Sequence, residues 1–504
     1  MNVNLESNQV LVREVRLKSV TGYSGTLSDL AGKSSCGSLG NKERCFSQSS
    51  LCLNMCGISE LLSINDVVVI NHASVGCCTG FAGLSIIGNQ LAARIGRTYN
   101  SVLVGTDLDE SDTVFGATDS IYEIARYVVA NYHPKALFVA SSCVSGVIGE
   151  DIDSVVADLR EEFDIPVGAM HCEGFKSRIW QSGADIADHA VLQTLVKPPK
   201  EKRPIINFKN FFESQRKQIT ERVARLGVAP QFLYVNSSVE EVEHLSEAMA
   251  TVSICGTLGT YLGSGLEELY GVPYIRSLNP SGITGFEDWL RAIGRTIGKE
   301  AEVEEYLDEQ RELYLPQIEE LKKELKGLRA VLAMGPGYSY EVTRVLQELG
   351  IETVWTLSFH LDQRYDDGQA PPAFEYLAKN SKNDFNTSIA DMQNFEILHI
   401  LNHFKPDLYF SRHAGTTVWA VKQGIPSVYV ADEYMIFGYK GTLDFARNVL
   451  DTIRNRSFEQ NLAARTTLPY TDWWYNHEKH ALLEDDAEDE TTSGEKFEPV
   501  AISA

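Results

Sequence analysis

The sequence lacks several features that would assign it to a familiar class of protein. No run of about 18 or more apolar residues occurs, so no transmembrane helix is predicted. The first residues, MNVNLESNQVLVREVRLKSV, contain no continuous apolar core of a secretory signal, so we expect a cytoplasmic protein. Positive charge is also scarce, and a net charge of −24 would repel the phosphates of nucleic acid.

Part of that negative charge is concentrated near the C-terminus. In EDDAEDE (484–490) every residue except Ala487 is acidic. This composition, followed by TTSGE, is typical of a solvated tail, which we place at residues 465–504. Docking of a basic partner onto the tail is the alternative interpretation.

Cysteine is absent after residue 255, although the chain has nine, at positions 36, 45, 52, 56, 77, 78, 143, 172 and 255. An odd count in a cytoplasmic chain argues against a disulfide framework, and the lack of any C-x-x-C pair argues against a zinc ribbon. Cysteines that serve as small core residues would scatter more evenly. Their clustering therefore favours thiolate ligation of a metal group.

A nucleotide-binding P-loop is missing as well, because G-x-x-x-x-G-K-[ST] occurs nowhere in the chain. GTLGTYLGSG (256–265) is rich in glycine but is not followed by Lys-Ser or Lys-Thr. If the protein is a reductase, ATP hydrolysis and low-potential electrons must come from another protein. GPGYSY (335–340) resembles a strand–turn–helix junction whose N–H groups could stabilise an anionic group.

Short β-branched runs alternate with helical patterns along most of the chain. Examples of these runs are DVVVIN (66–71), KALFVAS (135–141), FLYVN (232–236), ATVSI (250–254), LRAVLAMG (328–335) and PSVYVA (426–431). Continuous apolar runs of this kind are typical of buried parallel strands, and their alternation with helices predicts doubly wound sheets. The sequence therefore predicts an α/β fold of three Rossmann-like parallel-sheet domains, since a chain of 504 residues is long enough for about three.

Domain boundaries follow from composition. VKPPKEKRP (196–204) is typical of a linker, and the charged segment 300–328, kinked or interrupted at Pro316, could bridge two domains. We accordingly predict an N-terminal arm (1–49), domains at 50–198, 205–300 and 328–460, and the acidic tail.

Three cysteines follow predicted strands. Cys77 comes after VVVINHASVG, Cys143 after LFVASS and Cys255 after ATVSI, each with glycine nearby. In parallel sheets ligands bind at the carboxyl ends of strands, and glycines such as Gly76 allow backbone to approach a bulky group. Iron–sulfur clusters are held by cysteine thiolates, so cluster ligation at the strand ends is favoured over core packing.

Several motifs resemble one protein family in order along the chain. HASVGCC (72–78), VASSCVSGVIGEDID (139–153) and HCEGF (171–175) resemble the nitrogenase component 1 family, specifically its alpha (D-type) subunits. GTDLDESDTVFGA (105–117) and YKGTLDFARNVLDTI (439–453) match further segments of that family. The resemblance covers most of residues 50–460.

This resemblance implies two metal clusters. One is an [8Fe-7S] P-cluster-type cluster held by Cys52, Cys77 and Cys143 and shared with a beta (K-type) subunit in an α2β2 heterotetramer. Cys56 is a less favoured substitute for Cys52. A homodimeric, ATP-dependent Fe protein would be the electron donor. Cys78 is interpreted as a packed thiol, with a redox-dependent extra ligand as the alternative, and Cys172 as structural.

The second implied cluster resembles the nitrogenase cofactor, with an unknown heterometal, and Cys255 matches the cysteine that holds one end of it. The family's C-terminal histidine ligand is missing from PSVYVADEYMIFGYKG (426–441), and its histidine pair aligns with Ala184 and Asp185. Because histidines deliver protons near pH 7, these departures argue against dinitrogen reduction.

Four other residues are candidates for the pocket of this second cluster. His360 and His413, which follow strand-like runs, could each be a ligand or a proton donor, or else a hydrogen-bonded loop histidine. Gln181 and Arg412 are candidate hydrogen-bond donors behind the ligands.

The D subunit of the nitrogenase-like methylthio-alkane reductases resembles this pattern most closely. Such an enzyme cleaves the C–S bond of a small volatile thioether and releases methanethiol and a hydrocarbon. The alternatives are a non-catalytic alpha-type subunit of a cofactor assembly scaffold, an alternative nitrogenase alpha subunit, and an α/β binding protein without metal.

Overall fold

The computed structural model describes residues 3–41, 52–211, 213–234, 236–390, 394–430 and 436–473. Cys45 and residues 474–504 of the predicted acidic tail lie outside these ranges. Within them the chain forms three larger sheets and one two-stranded sheet, all dominated by parallel pairs, so the predicted α/β fold is confirmed. No helix in the described part of the chain combines the length and apolar composition that crossing a bilayer requires.

The first sheet has four parallel strands in the order β4-β3-β5-β6. Its strands are buried apolar runs, and helices cover both faces, as expected for parallel sheets. The elements of this region are α3 (Leu53–Leu62), β2 (Ile64–Asn65), β3 (Val67–His72), α4 (Gly76–Thr79), α5 (Ala82–Arg94), β4 (Val102–Gly105), α6 (Asp112–Phe115), α7 (Thr118–Tyr132), β5 (Ala136–Ser141), α8 (Cys143–Ile148), α9 (Ile152–Glu162), β6 (Val167–Met170) and α10 (Ser182–Thr194).

The second sheet has three parallel strands in the order β10-β7-β8. Its elements are β7 (Ile205–Lys209), α11 (Glu213–Arg225), β8 (Ala229–Leu233), β9 (Ser237–Ser238), α12 (Val239–Glu243), β10 (Ala250–Ser253), α13 (Gly256–Tyr270) and α14 (Gly282–Ile297). β9 lies outside this sheet and pairs with β2 in a separate two-stranded sheet. This pair joins the first and second regions.

The third sheet has six strands in the order β1-β13-β12-β11-β14-β15, of which only β1 is antiparallel. Its elements are α15 (Glu300–Leu325), β11 (Arg329–Met334), α16 (Pro336–Glu348), β12 (Glu352–Ser358), α17 (Pro372–Asn380), β13 (Asn386–Ala390), α18 (Asn394–Phe404), β14 (Leu408–Ser411), α19 (Ala414–Lys422), β15 (Ser427–Tyr429), α20 (Gly438–Arg454) and α21 (Ser457–Ala463). α15 continues through Pro316 without interruption.

The N-terminal segment contributes α1 (Arg13–Arg16), β1 (Gly22–Thr26) and α2 (Leu27–Ser35). Residues that were predicted to form a separate arm therefore add an edge strand to the third sheet. One apolar core runs from β7 and β10 to β11 and β14, and another joins α3 and α10 to α13. These shared cores connect all three larger sheets, so they do not mark where one domain ends and the next begins. The domain bounds drawn from the sequence therefore stay a prediction.

Candidate metal-cluster sites

Three exposed thiols lie at one edge of the first sheet. Cys52 precedes α3 and its Sγ accepts from the Met55 N–H at 3.5 Å, Cys77 lies in α4 after β3, and Cys143 begins α8 after β5. A Cβ added to Gly174 would lie 3.2 Å from Cys143 Sγ and 3.5 Å from Cys52 Cβ. This glycine therefore sits directly against both Cys52 and Cys143. At Gly76, an added Cβ would meet no other atom of the chain.

A buried polar group fixes the loops that carry these thiols. His72 Nε2 lies 3.0 Å from Glu150 Oε2, and Glu150 Oε1 accepts from the Ala117 N–H at 2.5 Å. The other ring nitrogen of His72 lies 3.0 Å from Thr106 Oγ1. Burial lowers the pKa of His72 despite the nearby carboxylate, so the imidazole is neutral at pH 7. The group thus joins the ends of β3 and β4 to the segments before α7 and after α8.

Cys78 and Cys172 lie behind the exposed thiols. Asn71 Nδ2 is 3.6 Å from Cys78 Sγ, and Asn54 Nδ2 is 3.6 Å from Cys172 Sγ. The two amides also bond to each other, at 3.1 and 3.3 Å. Burial raises the pKa of both thiols, and Cys78 Sγ faces Gly105 at the end of β4. These contacts are those of packed, neutral thiols.

Several large apolar side chains are exposed on the loops around the three thiols. Phe115 is 87% exposed and Val147 is 75% exposed, and α6 contacts α8. Other exposed apolar side chains of these loops are Val75, Val114 and Phe175. Apolar side chains concentrated in this way indicate an interaction surface, because isolated soluble chains rarely expose a contiguous patch of this kind.

Cys255 has the opposite environment, since it is only 6% exposed. It precedes α13, and a Cβ added to Gly337 of α16 would lie 2.8 Å from its Sγ. Burial raises the pKa of the Cys255 thiol, while the N–H groups of the first turn of α13 and the charges of Arg412 and Arg13 act in the opposite direction. A cluster bound there would be enclosed where the second and third sheets meet.

Two buried polar atoms near this junction have no hydrogen-bond partner. They are Nε2 of His360, which follows β12, and Oε1 of Gln181, which precedes α10. His360 Nε2 lies within ion-pair distance of Asp362 Oδ1, at 3.5 Å. Burial alone would raise the pKa of Asp362, but His360 and Arg13 hold it well below its usual range. A buried amide oxygen without a hydrogen bond, such as Gln181 Oε1, is costly and is typical of a position that faces a bound group.

Arg412 and His413 follow β14. The Arg412 guanidinium carbon lies 3.6 Å from the centre of the Tyr338 ring, and the His413 and Phe359 rings are 4.8 Å apart. Burial and the Arg412 charge lower the pKa of His413 to about 4. His413 is therefore an unprotonated imidazole at neutral pH, which suits a ligand or hydrogen-bond acceptor better than a proton donor.

The sequence did not reveal the role of Arg13. This buried side chain donates to Asp185 Oδ1 at 2.6 Å and Oδ2 at 2.9 Å, and also to the Thr257 carbonyl. Asp185 occupies one of the positions where the family resemblance places a histidine pair, and Ala184 beside it is buried. The acidic side chain of Asp185 was the only feature of the sequence that pointed to a buried, positively charged partner such as Arg13.

The donor set fits iron–sulfur clusters. Within the described ranges, no three His, Cys, Asp or Glu side chains converge as a single-ion site requires. The thiols instead line an exposed edge (Cys52, Cys77, Cys143) and an enclosed junction (Cys255), each in or next to the first turn of a helix. Thiolates are the ligands that iron–sulfur clusters use.

These features define an α/β protein with cysteine thiols near the ends of its parallel strands. Residues 52–454 match the family described as nitrogenase component 1 type oxidoreductase, and the chain belongs to that family. The predicted membership is thereby confirmed.

The curated proteins that this chain resembles include two kinds. A nitrogenase iron-molybdenum cofactor biosynthesis protein NifE from Methanococcus maripaludis is 28% identical over 77% of this chain and 80% of its own length. A nitrogenase molybdenum-iron protein alpha chain from Methanosarcina barkeri is 24% identical over 77% of this chain and 82% of its own length. The solved structure of nitrogenase Cp1 at pH 6.5 covers 86% of this chain and 93% of its own chain, with a TM-score of 0.69 at 20% identity, and shares the fold.

Proposed function

We propose that the protein is the catalytic D subunit of a cytoplasmic nitrogenase-like reductase that cleaves the C–S bond of small methylthio-alkanes. The observation that carries this proposal is the burial of the Cys255 thiol, which lies against Gly337 of α16 where the second and third sheets meet. An enclosed site excludes water from a reduction, whereas a scaffold that must release its cluster needs an open path.

Cys255 would hold the active-site cluster, and His360, His413, Gln181 and Arg412 would line its pocket. The cluster would supply low-potential electrons at the point where the substrate binds. Reduction of R–S–CH₃ to R–H and CH₃SH consumes two electrons and two protons, and it breaks one C–S bond. This proton demand is small, which agrees with a pocket that has Ala184 and the guanidinium-bound Asp185 in the family's histidine positions.

Cys52, Cys77 and Cys143 would hold half of a P-cluster-type cluster, and a beta (K-type) subunit would supply the other half. The exposed apolar side chains around these thiols support this arrangement, because a partner subunit would bury both. Two such pairs would form an α2β2 heterotetramer. A homodimeric Fe protein would hydrolyse ATP and deliver the electrons, since this chain has no P-loop.

Turnover tests the proposal directly. The anaerobic complex, supplied with an Fe protein, ATP and dithionite, should release methanethiol from a methylthio-alkane, and omission of ATP should abolish release. Gas chromatography measures both products. A complex with its full iron content that releases no methanethiol would show that the proposed reaction is wrong.

Cys255→Ala tests the assignment of the two sites. It should abolish methanethiol release and remove the iron of one cluster while the spectrum of the interface cluster persists. Cys172→Ala, at a packed thiol, is the matched control and should retain both clusters. Survival of both clusters in Cys255→Ala would refute the ligand assignment.

A scaffold for cofactor assembly is the second candidate, favoured by the 28% identity to a cofactor biosynthesis protein. In that case the loaded complex would transfer its cluster to a cofactor-free acceptor enzyme and would show no turnover of its own. The same preparation, assayed for methanethiol and for activation of the acceptor, separates the two functions.

A further inference from the structure

The N-terminal segment crosses the junction of all three sheets. It is anchored to the first and second regions at four points: Val3 to Glu268, Leu5 to Gln193, Ser7 to His189, and Asn8 to Asp153. Beyond α1 it pairs with the third region, first through Val20 and Leu361 and then through β1 and β13. We call residues 3–26 the strap.

At the centre of the strap, Arg13 is fully buried and bonds to each region in turn. Its guanidinium donates to Asp185 of α10, to the Thr257 carbonyl of α13, and at 3.5 Å to Asp362 Oδ2 after β12. Its backbone N–H donates to Ser182 Oγ at 3.2 Å. A planar guanidinium offers five donors in fixed directions, which lysine cannot reproduce.

Neighbouring groups complete the network. Arg16 donates to Asp185 Oδ2 at 2.8 Å and pairs with Asp366, and Ser19 Oγ donates to Asp362 Oδ1 at 2.6 Å. The carboxylates are almost fully buried, so removal of a guanidinium would leave a buried charge short of partners.

Two of the groups that accept hydrogen bonds from the Arg13 guanidinium, the Thr257 carbonyl and the Asp362 carboxylate, lie close in sequence to candidate pocket residues. Thr257 is two residues after Cys255 in the first turn of α13, and Asp362 is two residues after His360. One side chain therefore fixes the backbone that orients the candidate ligand, and it also contacts the carboxylate that pairs with His360.

We propose that Arg13 is a positioning residue that the strap inserts to orient Cys255 and His360 and to close the cluster pocket. The role assigned to the pocket rests on the proposed function, but the closure of the pocket by Arg13 does not. The two can therefore be tested separately, because the accessibility of the Cys255 thiol can be measured without any cluster.

The test is alkylation of the cofactor-free complex by iodoacetamide, followed by peptide mass spectrometry. Arg13→Gln should increase the rate at Cys255 by about tenfold, because the first turn of α13 loses its charged hydrogen bond and opens locally. Arg13→Lys should give an intermediate rate, since an ammonium cannot bond to all three acceptors at once. Cys172, buried in the first region, should keep its wild-type rate in both variants.

Two outcomes would overturn the proposal. An unchanged Cys255 rate in folded Arg13→Gln would show that Arg13 does not close the pocket. An equal increase at Cys172 in both variants would show that Arg13 only stabilises the whole chain. Arg126→Gln is the matched control, because it removes the same charge from an exposed ion pair with Glu162 and should alter neither rate.

The loaded complex gives a second readout. Arg13→Lys should retain the iron of both clusters and change the spectrum of the enclosed cluster only. An unchanged spectrum would contradict the positioning role, whatever reaction the enzyme catalyses.

Discussion

Glu173 is a buried acid directly behind the exposed thiols. Its carboxylate lies 2.7 Å from Lys176 Nζ and 3.7 Å from His171 Nδ1, and its side chain packs on Gly146 of α8. Burial would raise its pKa, but hydrogen bonds from His171 and Lys176 lower it to about 2. The ionised form is thus a structural part of the loop that contains Gly174.

Glu173→Gln should therefore destabilise the protein in a pH-dependent way. A carboxylate with a lowered pKa contributes stability that is present above about pH 4.5 and is lost as the pH falls toward about 2. We expect the variant to be about 1–2 kcal/mol less stable at pH 7, after allowance for screening by solvent, and the difference to shrink below pH 4.5.

Thermal unfolding at several pH values measures this difference. Glu162→Gln, at an exposed ion pair with Arg126, is the control and should follow the wild type closely. Parallel pH profiles for wild type and Glu173→Gln would contradict the prediction.

Part of the site could be predicted from single residues and part could not. Cys77, Cys143 and Cys255 stand out because each directly follows an apolar run that is recognisable as a strand. Arg13 does not, because its partners Asp185 and Asp362 lie 172 and 349 residues further along the chain. Nothing local distinguishes it from the exposed arginines of an ordinary arm.

At the scale of elements, the contact between α3 and α10 relates the two sites. α3 begins after Cys52 and α10 begins after Gln181, and the helices meet where Gly57 and Gly183 face each other. A Cβ added to Gly183 would lie 2.1 Å from the Leu53 carbonyl oxygen. The lack of a side chain at Gly183 therefore sets how closely the helices approach.

Gly183→Ala should consequently destabilise the protein by about 3 kcal/mol, because a backbone carbonyl cannot move aside as a flexible side chain could. The midpoint of urea unfolding measures the loss. Gly32→Ala, also within a helix but with no atom near the added Cβ, should leave stability unchanged or raise it by up to about 1 kcal/mol. Equal effects at both positions would refute the packing argument.

The strands show where sequence patterns suffice. DVVVIN and KALFVAS coincide with β3 and β5 to within one residue, because buried parallel strands are continuous apolar runs. β13, NTSIA, and β1, GYSGT, have no such pattern and were not predicted. β1 is an edge strand with two glycines, and only its distant partner makes it a strand.

On the scale of the whole molecule, the apolar surface around the thiols predicts association. Phe115→Asp should weaken the complex with the proposed beta-type subunit by at least about tenfold, since it would place a charge within the proposed apolar interface. Mass photometry of the anaerobic complex at nanomolar concentration measures the fraction assembled.

Leu313→Asp is the matched control for that change. Leu313 is 56% exposed on α15, which belongs to the third region, and its replacement should leave assembly unchanged. Loss of assembly in both variants, or in neither, would show that Phe115 is not part of the interface.

The antiparallel pairing of β1 also has a consequence for synthesis. Gly22 pairs with Ala390, so the first strand emerges from the ribosome long before its partner exists. At about 5–20 residues per second, the interval is roughly 20–70 s. Residue 13 precedes that strand, and Asp362 is also made late, so Arg13 should complete its network only after most of the chain is translated. The contact of Arg13 with Asp362, near Cys255, therefore cannot form until at least 362 of the 504 residues have been made.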